Sequence, residues 1–262
     1  MELIGYFFSS LIGVSLGLIG GGGSMLTVPI LVYIFAVNPD VSTSYSLFIV
    51  GLTAAVGAIR NYQKQLIDVK TGLLFAITSL SSLLFTRKFF MPLIPQHLFN
   101  IGDLQIGKNL LIMVVFAFLM IASSFSMIRK KQNTATINEY NFYKMTLIGL
   151  GLGFISGFLG AGGGFLIIPA LVFFANLPMK KAIGTSLFII AFNSLFGFGA
   201  DLLNGVKIEF QLLIGVAFAA ILGMFVGIYL SKNISGDKLK PAFGWFVLAM
   251  GIYVMFKEIV LK

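Results

Sequence analysis

The sequence predicts an all-α polytopic membrane protein with two homologous halves of about four transmembrane segments each. Glycine-broken or re-entrant short helices are expected in the first segment of each half. Three observations predict this fold: a composition unfit for water, a series of apolar stretches of spanning length, and a glycine–proline motif that occurs twice.

Of the 262 residues, 58% are hydrophobic and only 10% charged, whereas a soluble domain carries about 25% charged residues. The mean hydropathy is +1.00, which makes the bilayer the natural solvent. The chain contains no cysteine, so disulfides, thiolate metal ligation and a thiol nucleophile are excluded. The one histidine, His97, follows Pro92 and Pro95 in a connecting segment and reads as a loop residue rather than a catalytic group or metal ligand. The net charge of +9 comes from basic residues between apolar runs: Arg60 and Lys64, Arg87 and Lys88, Arg129 to Lys131, Lys180 and Lys181, and Lys232 to Lys240. Membrane loops facing anionic headgroups have this pattern, and no basic stripe points to nucleic acid. After Met1 and Glu2 the chain turns apolar without a basic leader, so the first helix is expected to be retained.

Eight apolar stretches follow in order, at 3–36, 41–60, 69–86, 109–128, 144–175, 181–200, 208–230 and 240–260. Six suit one spanning helix each. The first and fifth are too long: a helix over 3–36 would run about 50 Å against a hydrocarbon core of about 30 Å. Glycine costs about 1 kcal/mol in a helix interior, so Gly20 to Gly23 predict a break between a helix over 3–19 and a short one over 24–36. The fifth stretch is expected to break at Gly160 to Gly164 in the same way. Gly149, Gly151 and Gly153 suit close helix packing.

The segment GLIGGGGSMLTVPILV at 17–32 aligns without gaps on GFLGAGGGFLIIPALV at 157–172. The same offset pairs Gly13 with Gly153, Ser46-Leu47-Phe48-Ile49 with Ser186-Leu187-Phe188-Ile189, and Gly57 with Gly197. A single offset linking motifs so far apart argues for tandem duplication. The expected organisation is a first membrane repeat over 1–131, a polar linker over 132–143 and a second repeat over 144–262. The loop charges are too evenly divided to decide between inverted and parallel repeats.

Paired, broken hydrophobic segments point to a transporter's binding site. Non-helical backbone at membrane depth is tolerated where protein covers it or where it lines a wet cavity, and its free N–H groups suit an anion. The candidate substrate-binding residues are therefore Gly21, Gly22, Gly23 and Ser24 with Gly162, Gly163 and Gly164. Hydroxyls at the start of the next long helix in each half join them: Ser44, Tyr45 and Ser46, and Gly184, Thr185 and Ser186. Asn193 shares a helical face with Ser186. Each side chain has an alternative reading as a cap or an interhelical bond. Arg60, Asp201 and Glu209 fall near helix ends, where snorkelling to the interface is the default. No P-loop, redox centre, metal site or cofactor motif is legible, so transport is expected to be secondary and an enzyme is not expected.

The paired glycine loops with their prolines, AIGTSLF at 182–188 and GIYLSKNISGDKLKPAFGWFVLAMGIYVMF at 227–256 resemble the sulfite exporter TauE/SafE family. The resemblance implies a duplicated multi-spanning unit that exports sulfite, sulfonates or related organosulfur anions. By position it assigns the family's glycine loops to Gly20 to Ser24 and Gly160 to Gly164, and its GTS element to Gly184, Thr185 and Ser186. Two departures stand out: Ser44-Tyr45-Ser46 replaces that element in the first half, and NIGDLQIGKN at 100–109 reads as an insertion. The expected function is secondary transport, outward across a bacterial-type inner membrane, of a small sulfur oxyanion. The alternatives are a passive anion channel and a non-transporting membrane assembly protein. Expected partners are the small anionic substrate and membrane lipids, with no nucleic acid; a homodimer is allowed.

Overall fold

Gly20 and Gly160, with φ of 75° and 67°, end the first helix of each half in a backbone conformation that L side chains rarely adopt. The computed structural model describes residues 2–101, 104–128, 142–160, 164–206, 208–231 and 236–260. Its first long stretch divides into α1 (Glu2–Ile19), a 3-10 segment (Gly21–Leu26) and α2 (Thr27–Tyr33). Asn38 caps α3 (Pro39–Gln63) by accepting the Asp40 N–H at 3.1 Å, with Pro39 in the first turn where no N–H is needed. Asp68 likewise caps α4 (Val69–Phe85), accepting the Thr71 N–H at 2.9 Å. The chain continues through a π-helical turn (Thr86–Phe90) into α5 (Met91–Leu93). A hairpin of β1 (His97–Ile101) and β2 (Leu104–Gly107) leads to α6 (Lys108–Ile128). The remaining helices are α7 (Phe142–Leu159), α8 (Gly164–Phe174), α9 (Met179–Leu203), α10 (Phe210–Leu230) and α11 (Gly236–Val260).

The apolar stretches therefore become helices, and both long ones break at their glycines. Five helices are long and apolar enough to cross a membrane among the described residues: Pro39–Gln63, Val69–Leu93, Lys108–Phe125, Met179–Leu203 and Phe210–Leu230. The outer surface is apolar as well, with Phe118, Leu147, Ile214, Phe218 and Phe256 each more than half exposed, a face that lipid covers. Two expectations need correction. His97 opens strand β1 opposite Gly107 rather than lying in a loop, because the prolines stop the helix and the next two segments satisfy each other's backbone groups. Residues 97–101 and 104–107, part of which the sequence offered as an insertion, thus pair as strands within the helical bundle. Gly151 faces open space with nothing within 4 Å, so only its neighbours serve packing. Most of the linker over 132–143 lies outside the described residues.

Glycine spacing dictates the tightest helix crossings. α1 packs along α10, and α7 along α4. A Cβ at Gly13 or Gly17 would collide with the carbonyl oxygen of Ala220 or Met224. A Cβ at Gly153 or Gly157 would collide with backbone at Ser79 or Leu83, the same four-residue spacing on the other pair. Between these pairs α3 and α9 lie against each other, α10 also touching α3 and α4 touching α9, while α6 pairs with α11. The main core joins both halves, Val50, Ala54 and Ala58 packing with Leu187, Ile189 and Ile190.

Candidate functional site

The two glycine segments meet. A Cβ at Gly21 would overlap the backbone of Gly164, and a Cβ at Gly164 would overlap the backbone of Gly21. Side chains larger than hydrogen would push these segments apart. Gly20 abuts Ile183 on α9 and Gly160 abuts Thr43 on α3, so each break is seated on the other half's long helix. The Ser24 hydroxyl donates to the Gly21 carbonyl at 2.8 Å, and Gly23 is held against Ser15 and Leu16. Gly22 lies in the same 3-10 segment. Gly162 and Gly163 fall outside the described residues.

The helix hydroxyls divide into three roles. Tyr45 and Thr185 tie the halves together: the Glu209 backbone N–H donates to Tyr45 Oη at 2.7 Å, and the Asp68 N–H donates to Thr185 Oγ1 at 2.9 Å. Asp68 and Glu209 are the N-cap residues of α4 and α10, so each bond satisfies an otherwise orphaned helix-entry group. Gly184 sits on the Leu66 carbonyl of the same connection. Ser186 turns inward on its own helix, donating to the Ile183 carbonyl at 2.8 Å. Ser46 is fully buried and its hydroxyl has no partner among the described residues. Asn193 donates from Nδ2 to Ser79 Oγ at 2.6 Å, the interhelical bond, and keeps Oδ1 unpaired. The Tyr45 bond predicts that Tyr45→Phe, which strands the Glu209 N–H, loses about 1 kcal/mol. Thermal unfolding in detergent should register it as a lower midpoint with unchanged monodispersity.

Two residues that sequence reading placed at the membrane surface belong in the interior. Arg87 was expected between apolar runs and Asp201 at a snorkelling helix end. Instead Arg87 Nη1 donates to Asp201 Oδ2 at 2.7 Å, with side chains only 3% and 5% exposed. The Ser44 hydroxyl donates to the same Oδ2 at 2.5 Å, and Nη1 also reaches Ser44 Oγ at 3.3 Å. The physical reason is the π-helical turn, which carries the α4 helix past residue 86 and takes Arg87 inward with it. A signal was present: the apolar run resumes immediately after Lys88 as Phe89-Phe90-Met91-Pro92-Leu93. A cavity of about 280 Å³ opens beside the cluster, lined by Ser44, Arg87 and Asp201 together with Asp40 and Lys108. Lys108, delivered by the hairpin, donates to Asp40 Oδ2 at 3.0 Å.

Comparison with known proteins identifies the family. The family model described as "Sulfite exporter TauE/SafE" matches residues 6–254. A "Probable membrane transporter protein" of Xylella fastidiosa (strain Temecula1) is 30% identical over 260 residues, spanning 95% of this chain and 92% of that protein. The "Probable membrane transporter protein YdhB" of Bacillus subtilis (strain 168) is 24% identical, covering 94% and 97% of the two chains. The "Probable membrane transporter protein YunE" of the same organism is 27% identical over 72% and 73%. No solved structure matches significantly. A bundle of apolar helices with two glycine breaks, a family match over nearly its whole length and full-length transporter relatives lead to one conclusion: this multi-pass membrane transporter belongs to the sulfite exporter TauE/SafE family.

Proposed function

We propose that this transporter moves small sulfur-containing oxyanions, such as sulfite or organosulfonates, outward across a bacterial-type inner membrane by alternating access. In this reading the chain is a duplicated unit whose halves rock about the glycine crossing. The recurrence of the same contacts on both sides supports the duplication: Gly13 and Gly17 on α10 against Gly153 and Gly157 on α4, and the Tyr45 tie against the Thr185 tie.

The observation that carries the transport reading is a set of buried, unpaired polar atoms on elements packed against the crossing. These are Thr27 Oγ1 on α2, Ser46 Oγ on α3, and Asn193 Oδ1 and Ser194 Oγ on α9. Gly164 touches Ile190, one turn from both Ser186 and Asn193. Buried polar groups are almost always satisfied, so orphans on the elements that pack against the crossing favour a polar ligand there. The hydroxyls donate to an oxyanion; Asn193 Oδ1 accepts from one that carries a proton.

The test is substrate-dependent current from proteoliposomes on a solid-supported membrane, with jumps of sulfite, sulfoacetate, sulfate and chloride. Isotope uptake covers electroneutral exchange. Ser46→Ala removes a hydroxyl that makes no internal bond, so the variant should fold normally and lose at least tenfold in sulfite flux. Full flux in folded Ser46→Ala removes Ser46 from the site. Silence toward every sulfur oxyanion in both assays overturns the substrate class.

A further inference from the structure

We infer that Arg87 anchors a second anion-binding site, in the cavity beside α3 and α9, and that it takes a singly charged oxyanion group on the free edge of its guanidinium. The inference draws on the transport reading only for the class of anion.

A guanidinium presents five N–H donors in a rigid fork, and it cannot shed its charge. Among the described residues one of its three nitrogens is engaged: Nη1 meets Asp201 Oδ2 and Ser44 Oγ. Nε and Nη2 have no acceptor among the described residues although the side chain is only 3% exposed. The Nε–Nη2 edge is the one that matches two oxygens of a carboxylate, sulfonate or phosphate in parallel. Arg87 lines a cavity of about 280 Å³, room for an anion of a few heavy atoms, and because Nε and Nη2 are themselves closed to solvent, a small shift of the guanidinium toward the cavity is part of binding. Left empty, that edge is buried donor capacity with nothing to accept it, which is costly for any polar group and more so for a charged one.

The surrounding charges select the ligand. Asp201 and Asp40 also line the cavity, each paired with a cation, Arg87 or Lys108. The cluster is thus neutral in sum, and an entering anion brings the first uncompensated charge. A monoanion, a sulfonate or hydrogensulfite, is favoured over a dianion such as sulfate, because a site of no net charge leaves the second negative charge uncompensated and costly to desolvate. The cluster is also one-sided. The residues 140 positions away from Ser44 and Asp201 are Gly184 and Asn61, a neutral pair lying side by side. A device needed only to brace the bundle would serve both sides alike. The π-helical turn that carries Arg87 is an uncommon geometry, found disproportionately at functional positions.

The experiment is isothermal titration of the full chain, purified in detergent, with methanesulfonate, hydrogensulfite and sulfate. Wild type should bind methanesulfonate saturably, and more tightly than sulfate. Arg87→Lys keeps a cation opposite Asp201 but loses the fork, and its dissociation constant should rise at least tenfold. Should that variant misfold, Arg87→Gln combined with Asp201→Asn keeps a neutral hydrogen-bonded pair and should show the same loss. Unchanged affinity in a folded variant, or no saturable binding by wild type, overturns the site. Titrations in nanodiscs of zwitterionic and of phosphatidylglycerol lipid identify the source of the anion. Equal affinity in both supports a solute, and competition by the anionic lipid supports a headgroup on the same edge. Wild-type flux keeps the two readings separable. Transport of sulfite alongside undiminished binding by Arg87→Lys sinks this site alone, and binding at Arg87 without transport of any sulfur anion sinks the transport reading alone.

Discussion

Asp201→Ala should be among the most damaging single substitutions in the chain, destabilising it by about 3–5 kcal/mol. The loss does not measure the strength of the ion pair. Removing one partner leaves the Arg87 guanidinium, 3% exposed, without the one carboxylate that meets it at hydrogen-bond distance among the described residues. Ser44 loses its acceptor in the same stroke. Replacing both ions, as Arg87→Met with Asp201→Leu, removes the charge as well as its partner and should recover most of the loss, because a well-packed apolar pair avoids desolvation altogether. The measurement is the midpoint of thermal aggregation in detergent, read by size exclusion, for wild type, each single variant and the double variant. If Asp201→Ala melts with wild type, the pair is not buried in solution. If the double variant is no better than the worse single one, packing rather than charge governs the site.

This cluster also shows what could be read from the chain and what could not. Helix positions are a local property: an apolar run of spanning length, bounded by Asn38-Pro39 or Asp68, marks its own ends. The two breaks were equally legible, because a glycine run has few other uses inside an apolar stretch. Partners are not local. Asp201 meets an arginine 114 residues earlier, and Asn193 meets Ser79 across the same separation. Without those partners a carboxylate near a helix end looks like a snorkelling one, and Arg87 looks like a loop cation. Tyr45 was read as a substrate-binding candidate, yet its hydroxyl accepts the entry N–H of α10. Of the predicted candidates, Ser46 and Asn193 keep polar atoms free for a ligand, whereas Ser24 and Ser186 spend theirs on nearby carbonyls. The hairpin went unread because its two short strands carry no more pattern than a polar loop, and it matters because it delivers Lys108 to Asp40.

Gly153→Ala and Gly151→Ala should differ in sign although the residues lie two positions apart on α7. Helix propensity alone predicts a gain for both, since alanine is favoured over glycine in a helix interior by about 1 kcal/mol. At Gly151 nothing lies within 4 Å of the added methyl, so a gain of about 0.4–1 kcal/mol should be realised. At Gly153 the same methyl would overlap the Ser79 carbonyl oxygen, backbone that cannot swing aside as a side chain can. α7 must then retreat from α4, and the overpacking cost, about 1–3 kcal/mol, outweighs the propensity gain. Retreat also strains the Asn193–Ser79 bond at the same turn of α4. Gly13→Ala puts the corresponding methyl against Ala220 between α1 and α10 and should cost at least as much. Thermal midpoints of the three variants decide the matter. A destabilised Gly151→Ala would mean that α7 is covered there by something outside the chain, and a neutral Gly153→Ala would mean that the α4–α7 crossing is looser than its geometry requires.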